Sequence, residues 1–287
     1  MPLILEGVNY TYQPNSPYQT SALRDINLVI KEGEFVGLIG HTGSGKSTLV
    51  QHLNGLLKPT TGRVLVDDEE ISAKGVMLKK IRKKVGLVFQ YPEHQLFEDT
   101  VYKEIAFGPK NLDLSDEQIK QRVKIALKMV HLDFAKYQAA SSFALSGGEK
   151  RRVAIAGVLA MEPKYLILDE PTAGLDPRGR NEILEQVKEL HDGGMTIILV
   201  SHSMDDVARL TQRLIVMHES KIVFDDETRK VFAHYESLQK MGLDVPTVTK
   251  LMLRLKKKGW PVRQDVFTVE EAKEEILKAI REEKIRA

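Results

Sequence analysis

The chain has 287 residues, with 42 Lys and Arg against 40 Asp and Glu, a formal charge of +2. That length suits one large domain or a domain with an appendage, and so even a balance argues against nucleic acid as a partner. There is no cysteine, which excludes disulfides, thiolate chemistry and cysteine-based metal sites. Met1-Pro2-Leu3-Ile4-Leu5-Glu6 lacks the basic-then-apolar pattern of a signal peptide. No apolar run approaches the roughly 20 residues that a membrane-crossing helix needs. The expectation is a soluble chain, whose contact with a membrane comes through a partner or its surface.

The first 35 or so residues read as short strands and turns, punctuated by Gln13-Pro14-Asn15-Ser16-Pro17. Phe35-Val36-Gly37-Leu38-Ile39 is a continuous apolar run, the pattern of a strand buried on both faces, and a helix is expected from Ser47. Val64-Leu65-Val66 and residues 85–89 are further strands, the latter preceded by a basic run at 79–84 that reads as a solvated face or a contact with lipid phosphate. From about 93 to 160 the pattern turns helical. Ser115-Asp116-Glu117-Gln118 is a capping box, with Ile119, Val123, Ala126 and Leu127 on one face behind it. Strand patterns return at 165–168, 196–200 and 214–217. The whole is an α/β chain interrupted by a helical segment.

The last 60 or so residues read as a helical appendage, about 226–287. Pro246 opens a helix with Val248, Leu251, Met252 and Leu255 on one stripe, and Gly259 closes it. Thr268 starts a second helix with Val269, Ala272, Ile276 and Ile280 in line.

The residues that carry chemistry sit at the ends of these strands. Gly40-His41-Thr42-Gly43-Ser44-Gly45-Lys46-Ser47 is a P-loop between a strand and a helix. Its glycines let backbone N–H groups converge on phosphate oxygens, and the helix N-terminus favours the same anion. Lys46 is placed to reach the β- and γ-phosphates, and Ser47 to ligate Mg²⁺. Asp169 and Glu170 end the apolar strand at 165–168. Asp169 can hold Mg²⁺ through water and Glu170 can polarise an attacking water. His202 ends the strand at 196–200, where it can meet a γ-phosphate or serve structure alone. Gln90 can ligate Mg²⁺ or be a plain loop residue. The other histidines show no metal-ligand spacing, so no zinc site is expected.

Taken with Leu145-Ser146-Gly147-Gly148-Glu149 and Ala173-Gly174-Leu175-Asp176, these segments occur once each and in order. As a set they resemble the ATP-binding domain of ABC transporters over roughly residues 3–225. The resemblance implies a P-loop NTPase fold of the ABC type with an inserted helical subdomain at about 93–160. It implies ATP and Mg²⁺ as cofactors. Nucleotide would be held by 40–47 with Thr48, by Tyr12 stacking on adenine, and by Ser146, Gly147, Gly148 and Asp176. Glu170 would be the general base, His202 a γ-phosphate contact, and Ser47, Gln90 and Asp169 the metal ligands. Tyr10 and Tyr18 flank Tyr12 as ordinary strand positions. Two such subunits would close head-to-tail, the signature of each completing the other's P-loop.

The stretch from Gln90 through Tyr91-Pro92-Glu93-His94-Gln95-Leu96-Phe97 to Phe107-Gly108-Pro109-Lys110-Asn111 looks like the ATPases of energy-coupling factor transporters, specifically the second of their two ATPase subunits. That likeness implies a second, related ATPase (homo- or heterodimeric pairing), a transmembrane coupling protein, a substrate-binding membrane subunit and a place on the cytoplasmic face of the membrane. The appendage would serve pairing, and Leu96 and Phe97 would be either a partner patch or core. Other readings are an ATPase of a different ABC importer, a soluble ABC ATPase acting on nucleic acid or ribosomes, and a non-hydrolysing switch. Glu149 stands where the family usually has Gln. It either brings charge near the triphosphate or closes a capping box with Ser146 and faces away.

Overall fold

The structure, a computed structural model, describes residues 2–73 and 76–286, the last five of these by backbone alone. The appendage's final residue, 287, lies outside the described residues. In chain order the chain forms β1 (Leu3–Tyr12), β2 (Thr20–Ile30), β3 (Phe35–Gly40), α1 (Lys46–Leu53), β4 (Thr61–Val66), β5 (Glu69–Glu70), α2 (Leu78–Lys84) and β6 (Val85–Val88). A helical stretch follows with α3 (Val101–Lys110), α4 (Asp116–Met129), α5 (Phe134–Tyr137) and α6 (Gly147–Leu159). Then come β7 (Tyr165–Asp169), α7 (Pro177–Asp192), β8 (Thr196–Val200), α8 (Met204–Leu210), β9 (Arg213–His218) and β10 (Lys221–Glu227). Four helices close the chain: α9 (Thr228–Ala233), α10 (Tyr235–Lys240), α11 (Thr247–Lys257) and α12 (Val269–Arg286).

Two sheets result, an antiparallel one in the order β2-β1-β4-β5 and a mainly parallel one in the order β10-β9-β3-β8-β7-β6. Where short strands were expected at the N-terminus, β1 and β2 are long, at 10 and 11 residues. The loop expected at 13–17 is the connection between them, and the ladder carries irregularities instead of further breaks. Gly7 and Asp25 take left-handed backbone, and the β1–β2 register shifts between Leu5 and Val8. The edge strand β10 was not among the expected strands; its apolar stretch is only Ile222-Val223-Phe224, followed at once by Asp225-Asp226-Glu227.

The buried parallel strands divide their side chains between two cores, as the period of two demands. On β7, Tyr165 and Ile167 enter the layer between the sheets, beside Leu3, Val36 and Leu49. Leu166 and Leu168 enter the opposite layer, under α3, α4 and α6. Ser115 makes both halves of its capping box at the start of α4. The basic run forms α2, and its last residue turns inward. Lys84 lies 3.3 Å from the buried Asp67 and 3.1 Å from Glu69. Lys164 reaches the same Asp67 at 3.1 Å, tying β4 to the start of β7.

The C-terminal segment falls into two parts. Val231, Phe232, Leu238, Leu243 and Val245 share a core with Ile39, Val207 and Val216 of the parallel sheet and its helices. Beyond them, Met252, Val262, Val266, Ala272 and Ala279 form a small core of their own. Leu251, Val269 and Ile280 of the expected stripes are not in it. Leu251 and Val269 are exposed, and Pro246 is the N-cap of α11 rather than its first residue. The stripe therefore turns to Met252 on α11 and to Ala272 and Ala279 on α12, with Leu255 and Ile276 partly buried beside them. Among the described residues no helix is long and apolar enough to cross a membrane.

Candidate active site

The P-loop leaves β3 at Gly40 and enters α1 at Lys46, one residue earlier than expected. Gly45 has φ +105°, and a Cβ there would press on the Ala22 carbonyl, so no other residue closes this loop without strain. Gly43 has φ +83° with open space around it. The Lys46 ammonium folds back over the loop and donates to the carbonyls of Gly40 at 2.6 Å and His41 at 3.1 Å. Burial lowers its pKa, while the carboxylates of Glu170 and Asp169 push the other way. The His41 ring packs edge-on against His218, and Ser44 is buried.

One cavity of about 440 Å³ gathers most of the residues that the sequence singles out. Thr42, Gly43, Gly45, Lys46, Ser47 and Thr48 line it together with Tyr12, Gln90, Asp169, Glu170 and His202. Three neighbours that the sequence reading missed, Thr20, Ser21 and Ala22, also line it. They lie where β2 begins, with nothing in their side chains to mark them. Of the three nearby tyrosines, Tyr10 packs its ring against His52 and Tyr18 is exposed. Tyr12 lines the cavity, its hydroxyl 3.1 Å from Thr48 Oγ1.

The acids at the end of β7 differ in setting. Asp169 is the last strand residue, paired with Val200 of β8. Burial raises its carboxyl pKa and Lys46 opposes the rise. Glu170 leaves the strand with φ +51°, its N–H donating to the Val200 carbonyl at 3.0 Å. Its Oε1 is buried without a hydrogen-bond partner and lies 3.7 Å from His202 Nε2. Burial and the charge of Asp169 push the Glu170 carboxyl up to about 7. His202 is moved down by burial and by Lys46.

Ser47, Gln90 and Asp169 bring a hydroxyl, a side-chain amide and a carboxylate to the same cavity. Such oxygen donors suit a hard cation of the Mg²⁺ kind, and the partnerless Glu170 Oε1 gives the site a polar atom in want of a water. The residues fit a magnesium nucleotide. A bound Mg²⁺ would neutralise phosphate charge; Lys46 would bind, His202 would orient, and Glu170 could take a proton from water.

The signature residues do not line this cavity. Ser146 caps α6, and its hydroxyl donates to Glu149 at 2.7 Å while accepting the Glu149 N–H. Glu149 also accepts from the Ser146 N–H at 2.9 Å and from the Tyr137 hydroxyl at 2.6 Å. Led by the Tyr137 bond, these contacts hold its carboxyl down at about 2. Glu149 is thus a helix cap, as its spacing from Ser146 implied. A Cβ added to Gly147 or Gly148 would meet nothing within 4 Å, so packing within the chain does not explain either glycine. Asp176 caps α7, accepting the Gly179 N–H at 2.7 Å.

Sequence reading also passed over Arg151. It is 1% exposed and bonded to Glu93, Pro171 and Ala173.

A P-loop, two acids closing a neighbouring parallel strand and a histidine closing the next define a P-loop NTPase site. The chain belongs to the ABC transporter family, whose model matches residues 23–173. It is 58% identical over 279 residues to the energy-coupling factor transporter ATP-binding protein EcfA2 of Clostridium tetani, covering 97% of each chain. It is 56% identical over 282 residues to the protein of the same name from Clostridium perfringens, covering 98% of this chain and 99% of that one. Among solved structures it is similar to cbiO1 of Clostridium perfringens, part of the ABC transporter complex cbiONQ, with TM-score 0.73, 41% identity and coverage of 90% and 96%. The dimeric ATP-binding cassette MJ0796, bound to ADP and Pi, matches with TM-score 0.70 and 31% identity over 79% of this chain and 98% of that one.

Proposed function

We propose that this chain is an ATP-hydrolysing subunit of an energy-coupling factor importer, one half of an ATPase pair that drives a membrane-embedded coupling protein. Near full-length likeness to energy-coupling factor ATP-binding proteins supports this over the other ABC readings. The observation that carries the pairing is the split site. One cavity holds P-loop, acids and His202, while Gly147 and Gly148 stand outside it with open space before them. A second, related subunit is what those glycines face. Ser146, Gly147, Gly148 and Asp176 act on the nucleotide held by that partner. ATP bound between the two stabilises the closed pair, and hydrolysis removes the contact that favours closure.

The membrane partner docks on the turn after Gln90. Phe97 and Phe107 are both about half exposed and meet edge to face at 4.9 Å. They border a groove of about 220 Å³, floored by Leu96, Val153 and Val158. Exposed aromatics over such a floor suit an apolar helix of a transmembrane coupling protein. That contact places the subunit peripherally, on the cytoplasmic face of the membrane, with a substrate-binding membrane subunit supplying the vitamin or trace-metal cargo. The appendage contributes to pairing through Leu251, Val269 and Leu277, apolar residues left exposed on α11 and α12.

Capture of the tagged chain from detergent-solubilised membranes tests this reading. A polytopic membrane protein and a second ATPase are expected to come with it. Phe97→Glu should lose the membrane protein and keep the ATPase. Recovery of ribosomes or DNA in their place refutes it.

The pH dependence of turnover has a defined sign. A raised carboxyl loses its basic form as pH falls through its pKa, here about 7 against the ordinary 4.5. The rate of ATP hydrolysis is therefore expected to fall on an acid limb starting near neutrality, and to hold level above it. A flat profile down to pH 5 contradicts the assignment of Glu170 as base.

A further inference from the structure

We propose that Arg151 is a positioning residue that joins the turn after Gln90 to the segment after Glu170, so that a partner seated at Phe97 acts on the hydrolytic carboxylate through it. The geometry is that of a three-way tie. From α6, Arg151 donates through Nε to Glu93 Oε2 at 3.0 Å and through Nη2 to Glu93 Oε1 at 2.6 Å. Its Nη1 donates to the Pro171 carbonyl at 2.9 Å and the Ala173 carbonyl at 2.8 Å. Glu93 belongs to the short turn Pro92–Gln95, which leads directly to Leu96 and Phe97. Pro171 and Ala173 follow Glu170 without a break.

A second contact links the same two segments. Tyr91 and Gly174 both take left-handed backbone, and a Cβ on Gly174 would lie 3.4 Å from the Tyr91 ring. The turn at 91–95 and the segment at 171–174 are therefore joined at two places, one a buried charged fork and the other a ring on bare backbone.

The chemistry favours positioning over stability as the reason for Arg151. A guanidinium stays charged when buried and presents a planar set of donors that one ammonium cannot match. Burying such a pair gains little over apolar packing, so its use lies in specifying geometry. The geometry specified is the path of the chain beside Glu170, whose φ of +51° leaves it dependent on the segment that follows. Displacing Glu93 by a partner at Phe97 pulls on the same guanidinium that holds the Pro171 and Ala173 carbonyls.

The partner-dependent part of this inference rests on the function proposed above; the effect on turnover does not. The test uses the purified complex of the two ATPases with their membrane subunits, and separately the ATPase pair, with Mg-ATP as substrate. Glu93→Gln keeps the shape of the turn and removes its charge, and Arg151→Lys keeps the charge and loses the fork. Each is expected to lower kcat on the order of tenfold while leaving KM for ATP within about twofold, with a melting curve showing a folded protein. In the complex, each should also lose the stimulation given by the membrane subunits. Folded variants with the wild-type kcat overturn the proposal. So does a loss in kcat that is matched by an equal loss of ATP affinity and melting temperature, because that marks a structural role alone. If the wild-type pair gains nothing from the membrane subunits, the functional reading fails, and the kcat of the variants still decides the role of Arg151.

Discussion

Glu170→Gln is expected to leave ATP bound and to slow its hydrolysis by roughly 10²- to 10⁴-fold, the usual worth of a positioned base. The amide matches the carboxylate in size, so the left-handed turn and the bond from its N–H to Val200 are kept. What disappears is the ability to accept a proton near neutral pH, which burial and Asp169 give to this carboxyl. The substitution also removes a negative charge close to where the triphosphate lies, so nucleotide affinity should hold or rise. Equilibrium binding of ATP beside single-turnover hydrolysis separates the two effects. Full turnover in the variant would falsify the assignment.

Gly148→Asp is expected to fold as well as the natural chain and to lose about 100-fold or more in turnover, the scale of losing an oriented backbone donor. Inside the chain a side chain has room, since no atom comes within 4 Å of the added Cβ. An acid in the first turn of α6 favours the helix dipole, and replacing a helical glycine favours the helix further. Melting temperature should therefore be unchanged or higher. Under the pairing proposed above, the cost is expected only across the pair, where the new carboxylate would meet the triphosphate held by the partner. Mixing the variant with a partner subunit bearing an intact signature is the decisive measurement. One of the two sites should fail, and it should be the one whose P-loop lies in the other chain. An equal loss of both sites, or a drop in melting temperature, places the defect within the subunit.

Much of the site could be read from short segments because its geometry is local. A strand, a glycine loop and a helix in immediate succession bring Gly40 to Thr48 around one anion whatever the rest of the chain does. The same holds for Ser146 and Glu149, three residues apart at a helix start, whose mutual capping is a matter of spacing. Tyr12 was harder to read. Tyr10, Tyr12 and Tyr18 differ little in sequence, and only the pairing of β1 with β2 sends Tyr10 toward His52 and Tyr12 to the cavity. Leu251 and Val269 were assigned to a buried stripe because periodicity finds the apolar face of a helix without showing what covers it.

The class of the protein and its need for a second subunit came from its likeness to ABC transporter ATP-binding domains; what the residues alone settled is the phosphate-binding loop and the acids and histidine that close its parallel strands. These follow from patterns spanning a few residues, where backbone geometry leaves little choice. The tertiary structure alone decided which tyrosine stands at the cavity, how far Glu170 is buried, and that Arg151 is an internal tie instead of a surface charge. Burial and long-range bonds come from segments dozens of residues apart. Glu93 and Arg151 are separated by 58 positions, and no local pattern records that they meet.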